Sequence, residues 1–379
     1  MGRIGARLLA AVGIPTVVFL AAEGAARWAL GPREYTAAEI PYEADPALGF
    51  RPAAGIRSKR LCISSLSTRG GEPRRDASRR ILVVGDSMVF GAEVGESETF
   101  CSVLQTDLGQ DVSVVNAGCP GYGLHEYRLA IRRLAPLVQP TEIVVCIFLG
   151  NDIQDVLSTR PYEVLGGKLV PRPRFERAGV AERAWMSFAA RVSSLAVLRV
   201  ARGGSSGESS LAAAEAHAAG VGPRGARLPE RGYCGMDQPE LKALMICEGY
   251  GRLGEVGGEK ITRAWAALPH ALQAIREEAA QPGAKLTFAL LPLPVAYDPG
   301  LRVRLAKLWG LAPRVVDGAR PSRELAALLD RLSLAQIDLT PALAASPAEH
   351  RLHIPSDLHF SVEGHALVGS TLAARLLGR

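Results

Sequence analysis

The chain reads as an α/β protein built on a doubly wound parallel sheet, and three observations lead there. Residues 81–84, 112–115 and 143–149 are apolar, β-branched runs of the kind that form parallel strands buried on both faces. Each is followed by loop residues and then by a helical pattern. A fourth run, Lys285–Leu291, is entered from the helical stretch 261–280 and ended by Pro292, and a short fifth lies at 336–339. Strand–helix alternation of this sort predicts a flavodoxin-like sheet of about five strands flanked by helices.

Composition supports a large apolar core. The 379 residues are 48% hydrophobic and 22% charged, which excludes a disordered chain, a collagen-like chain and a small disulfide scaffold. Aromatics make up only 6%, so the core falls to Leu, Val, Ile and Ala. The net charge of +6 is carried almost wholly by arginine, scattered along the chain apart from a denser stretch between residues 51 and 80. A nucleic-acid binder would gather that charge with aromatics on one face, so no nucleic-acid partner is expected.

The N-terminus predicts a membrane helix. Arg3 and Arg7 precede an apolar run from residue 8 to 22, which can continue to Leu30 past Glu23 and Arg27, with Trp28 suited to the interface. Basic residues before the run and Glu34, Glu39, Glu43 and Asp45 after it place the body outside the cytoplasm. Ala22-Glu23-Gly24 and Gly24-Ala25-Ala26 both offer small-x-small cleavage sites, so a signal peptide stays open beside a signal anchor. The expected layout is an anchor or signal over 1–30, a linker over 31–80 and one domain over 81–379, interrupted by an insertion or lid at about 156–260.

Within that insertion, residues 203–259 are rich in Gly, Ser and Ala. Gly203-Gly204-Ser205-Ser206-Gly207 and Gly220-Val221-Gly222-Pro223-Arg224-Gly225 match a nucleophile elbow and a dinucleotide fingerprint, but no strand leads into either, so neither is expected to act. Of six cysteines, Cys234 and Cys247 share one loop-rich segment and form the expected disulfide outside the cytoplasm; Cys146 falls inside a strand run and reads as a small buried hydrophobe. His350, His353, His359 and His365 cluster in sequence without zinc-ligand spacing, so no metal and no cofactor are expected.

The chemistry is concentrated at strand ends. Ile81-Leu82-Val83-Val84-Gly85-Asp86-Ser87-Met88 runs from a strand through a Gly-Asp-Ser turn into a helix, which places Ser87 where open α/β sheets bind ligands. Taken alone, Asp86 or Ser87 is equally well read as a helix cap. After the second strand comes Asn116-Ala117-Gly118-Cys119-Pro120-Gly121-Tyr122-Gly123; after the third comes Gly150-Asn151-Asp152; near the C-terminus stands Asp357-Leu358-His359.

In this order the four pieces resemble the SGNH hydrolase superfamily, the GDSL-type esterases and lipases. The likeness spans about residues 81–155 and 285–377. Residues 63–69 followed by 79–87 are similar to membrane-anchored bacterial members. The resemblance implies Ser87 as nucleophile, His359 as general base and acid, Asp357 as the orienting acid, and an oxyanion hole of the Ser87 N–H, the Gly121 N–H and the Asn151 side-chain amide. The family's acid usually lies three residues before the histidine, where this chain has Ser356; Asp357 is read as an Asp-x-His variant, with helix capping as its ordinary alternative.

Together with the N-terminal run, the resemblance implies a serine-dependent esterase or acyl hydrolase in the bacterial cell envelope. It would be anchored in the inner membrane, or secreted if the leader is cleaved, and would act on an acylated small molecule, glycan or lipid. The alternatives are an O-acyltransferase acting on an envelope polysaccharide and a catalytically idle binding or assembly protein that keeps the fold.

Overall fold

Parallel strands with near-continuous apolar runs must be covered on both faces, and the first run shows this most fully. In the computed structural model, residues 17–23, 25, 40–158, 162–172, 176, 179–180, 182–185, 188, 259–280, 283–308, 317–347, 351–354 and 359–378 are described. Strands β1 (Tyr42–Asp45) and β2 (Gly49–Pro52) form an antiparallel hairpin. β3 (Arg79–Gly85) follows, with Ile81, Leu82, Val83 and Val84 fully buried. It leads into the short helix α1 (Ser87–Phe90) and then α2 (Phe100–Leu108). β4 (Val112–Gly118), α3 (Leu124–Val138), β5 (Glu142–Phe148) and α4 (Asp152–Asp155) continue the alternation. A second hairpin, β6 (Tyr162–Leu165) with β7 (Lys168–Pro171), opens the insertion. Beyond it come α5 (Glu259–Glu278), β8 (Lys285–Leu291), α6 (Pro299–Leu308), α7 (Arg320–Arg331), β9 (Gln336–Asp338), α8 (Thr340–Ala344) and α9 (Val362–Leu376).

The five sheet strands lie in the order β4-β3-β5-β8-β9, every adjacent pair parallel. Counted within the sheet this is the 2-1-3-4-5 order of a flavodoxin-like fold. The chain reverses direction across the sheet at β3, so the carboxyl ends of β3, β4 and β5 form the crevice in which such sheets bind ligands. α2 packs against α9, and α3 packs against α5. Truncating a buried strand residue such as Leu82 to Ala costs about 2–5 kcal/mol.

The stretch expected as a linker is woven into the core. Phe50, Leu61 and Ile63 are buried, and Phe50 makes edge contacts with Tyr42, Tyr122 and Tyr162. Several of its arginines have intramolecular partners. The Arg69 side chain, 1% exposed, donates to the carbonyls of Phe90, Gly91, Val94 and Arg60, ion-pairs with Glu96 and lies over the Phe90 ring. Arg74 donates to the Gln110 and Val112 carbonyls, Arg79 grips Glu142 with two bonds, and Arg80 donates to the Ala77 and Gln139 carbonyls. About half of the basic density between residues 51 and 80 therefore serves carbonyl capping and ion pairing within the fold.

Among the described residues no helix is long and apolar enough to cross a membrane. The expected N-terminal span falls mostly outside them; residues 17–23 are helical, with Val17, Val18, Phe19 and Leu20 exposed. Cys234, Cys247 and both discarded glycine motifs also lie outside the described residues. Cys101, Cys119 and Cys146 are buried free thiols.

Candidate active site

The nucleophile turn is built at the end of β3 by a side-chain cap and close packing on β4. Asp86, with φ −92° and ψ −146°, is the N-cap of α1, and its Oδ1 accepts from the Met88 N–H at 2.8 Å. That leaves Ser87 as the first helical residue rather than the cap. α1 lies so close to β4 that a Cβ on Gly118 would sit 2.4 Å from the Phe90 nitrogen. Asn116, also on β4, donates to the Val89 carbonyl at 2.8 Å and fastens the helix to the strand.

His359 arrives from the far end of the sequence. Its Nε2 lies 2.8 Å from Ser87 Oγ, the spacing of a base and the hydroxyl it deprotonates. The loop that carries it is closed by an antiparallel bridge between His353 and Phe360, by the Ile354 N–H on the His359 carbonyl at 2.9 Å, and by the Ser361 N–H on the Leu352 carbonyl at 3.0 Å. Tyr297, just past β8, bonds His353 Nδ1 through its hydroxyl, and both side chains are buried. Burial raises the Tyr297 phenol well above its ordinary value, so it stays protonated. The helix after this loop is capped by Ser361, whose Oγ accepts from the Gly364 N–H at 3.1 Å, so that capping role does not fall to Asp357. Asp357 itself lies outside the described residues. His365 is buried in α9 and accepts the Phe100 N–H at 3.1 Å through Nδ1; burial lowers its pKa to about 3, so it is a neutral core imidazole. Among the described residues no group of His, Cys, Asp and Glu could hold a metal.

The two other predicted donors sit at neighbouring strand ends. Gly121, with φ +85°, lies in the loop between β4 and α3, in the left-handed region that favours glycine. A Cβ there would stand 2.9 Å from Tyr162 Cε2, so the β6–β7 hairpin closes over this loop. Asn151 precedes α4, and its Nδ2 donates to Asp155 Oδ2 at 2.9 Å.

A set of buried carboxyls underlies the serine. Asp152 accepts from Tyr127 Oη at 2.9 Å and from the Phe148 N–H at 2.7 Å. Burial, and then the nearby Asp86, raise Asp152 well above the usual carboxylate range. Burial also pushes Asp86 up to about 6, opposed by the Met88 N–H and by neighbouring His359. Sequence reasoning singles out neither Asp155, Tyr162, Tyr297 nor the structural part of His353. The Leu165-Gly166-Gly167-Lys168 turn, with φ +60° and +80° at its glycines, is a usable hairpin signal for placing Tyr162.

No family model and no curated protein matches the chain. Among solved structures it is similar to the M. smegmatis aryl esterase at 11% identity, covering 79% of this chain and 99% of that one with a TM-score of 0.37. It is also similar to a lipase/acylhydrolase from Enterococcus faecalis (16% identity, 79% and 96% covered, TM-score 0.35) and to a carbohydrate acetylesterase from Sinorhizobium meliloti (11% identity, 79% and 99% covered, TM-score 0.35).

Proposed function

We propose that this chain is a serine esterase of the SGNH type that cleaves O-acyl esters through an acyl-serine intermediate. The observation that carries this reading is His359 Nε2 at 2.8 Å from Ser87 Oγ, at the carboxyl end of the strand where the sheet reverses. Ser87 Oγ attacks the ester carbonyl while His359 Nε2 takes its proton, and the carbonyl oxygen becomes an oxyanion. The Ser87 N–H, the Gly121 N–H and the Asn151 Nδ2–H receive that charge; losing one such donor costs about 3–4 kcal/mol of transition-state stabilisation. Collapse expels the alcohol, protonated by His359, and leaves Ser87 acylated. Water, deprotonated by the same imidazole, then releases the acid. Asp357 orients His359 and offsets its charge, as the acid does in catalytic triads. The N-terminal run of residues 8–30 supports a substrate at the bacterial envelope, an acylated glycan or lipid met outside the cytoplasm.

Purified full-length protein should hydrolyse short p-nitrophenyl acyl esters, and Ser87→Ala should lower kcat by at least about a thousandfold. Acyl release only on addition of a glycan acceptor would mark an acyltransferase using the same intermediate. Turnover unchanged in Ser87→Ala would overturn the serine mechanism, and none with any ester or acceptor would leave an idle envelope protein.

A further inference from the structure

Asp155 closes α4 and has no place in the mechanism above, yet it touches both loops that flank the serine turn. On one side its Oδ2 accepts from Asn151 Nδ2 at 2.9 Å. Asn151 Oδ1 is buried with no hydrogen-bond partner among the described residues, so the bond to Asp155 fixes which end of the amide is the donor. Rotating the amide by half a turn would set Oδ1 against a carboxylate oxygen. On the other side, a Cβ on Gly123 would stand 3.1 Å from Asp155 Cβ, so the Gly121–Gly123 loop rests directly on this residue. Tyr162, whose ring covers Gly121, has its phenol raised by burial and then by the Asp155 charge, which places that charge within reach of the same loop.

We propose that Asp155 is the positioning residue of the oxyanion hole, holding the Asn151 amide by one N–H so that the other N–H is aimed at the substrate oxygen. This rests on the esterase reading. A primary amide carries two Nδ2 protons, and binding one to a fixed acceptor leaves the second with a single direction. The acceptor matters more than its charge, because a carboxylate beside a developing oxyanion opposes it. An amide at position 155 would keep the acceptor and remove that opposition.

The test compares Asn151→Ala, Asp155→Ala, Asp155→Asn and the double variant Asn151→Ala/Asp155→Ala in the full chain. The measurement is kcat and KM for p-nitrophenyl acetate, with thermal unfolding as the check on folding. Asp155→Ala should lose about tenfold to a hundredfold in kcat with KM held within about threefold. Asp155→Asn should recover most of that turnover. The double variant should be no slower than Asn151→Ala, because Asp155 acts through Asn151. Losses that multiply in the double variant, or a folded Asp155→Asn as slow as Asp155→Ala, would overturn the proposal. If the parent shows no Ser87-dependent turnover, the esterase reading falls and takes this inference with it. If that turnover is present and Asp155→Ala matches the parent, only the inference falls.

Discussion

The turn that carries Ser87 and the loop that carries His359 meet at one hydrogen bond but are held by different means. The serine turn is fixed by the sheet. Its strand is buried to 0% exposure from Ile81 to Val84, its helix is capped by Asp86 through an N–H two residues on, and Arg69 ties down the carbonyls at the helix's far end. The histidine loop owes little to the sheet. It is a short bridged loop whose geometry depends on a side-chain bond between Tyr297 and His353 and on Phe360 packed against the His353 ring, centroids 4.7 Å apart. A nucleophile seated at the end of a buried strand and a base carried on a bridged loop respond differently to loss of their supports: on the serine side the larger effect is on stability, on the histidine side it is on turnover.

The larger expected effect is on the serine side and depends on pH. Asp86 is raised from 3.8 to about 6 in the folded chain, mainly by burial. Its folded value exceeds its unfolded one, so the stability it contributes is fully present below about pH 4 and is lost as pH climbs through about 6. A shift of that size corresponds to roughly 3 kcal/mol between the two limits. Asn caps a helix as well as Asp does, so Asp86→Asn should match the parent near pH 4 and exceed it in stability at pH 7. Chemical denaturation at both pH values reads this directly; parallel pH slopes for the two proteins would contradict the burial of a titrating Asp86.

A smaller change in stability is expected on the histidine side, with the larger consequence in rate. Tyr297→Phe removes one buried hydrogen bond to His353, worth about 1 kcal/mol. The bridged loop then loosens around His359, and kcat should fall about tenfold while KM stays within about threefold, since a misplaced base affects the transition state alone. His353→Asn, whose Oδ1 can stand in for Nδ1, should retain most of the activity that His353→Ala loses. Equal activity in Tyr297→Phe and the parent would place the support of His359 elsewhere.

The same contrast explains what could be read from the sequence. The strand runs, the Gly-Asp-Ser turn and the Gly-Asn-Asp turn were legible because each is set by neighbours a few residues away: β-branched runs make buried strands, and Asp86 caps its own helix. Parallel order across the sheet followed from strand–helix alternation. The pairing of Tyr297 with His353 was not legible, because 56 residues separate them and nothing local to either marks the other. Asp155 stood four residues after Asn151, one helical turn away, but that spacing gains meaning only once α4 is known to begin at Asp152. The woven-in segment of residues 40–76 was hidden for a related reason: its two short strands form a two-stranded sheet of their own, and its anchor, Phe50, packs on Tyr122 and Tyr162.

The central claim is that Ser87 and His359 act as one nucleophile–base pair. It is tested most directly by reacting the full-length protein with a fluorophosphonate probe, digesting it and locating the adduct by mass spectrometry. A single phosphonylated residue, Ser87, is predicted, formed at least about a hundredfold more slowly in His359→Ala. An adduct at another residue, or labelling of Ser87 at the same rate with and without His359, would contradict the claim.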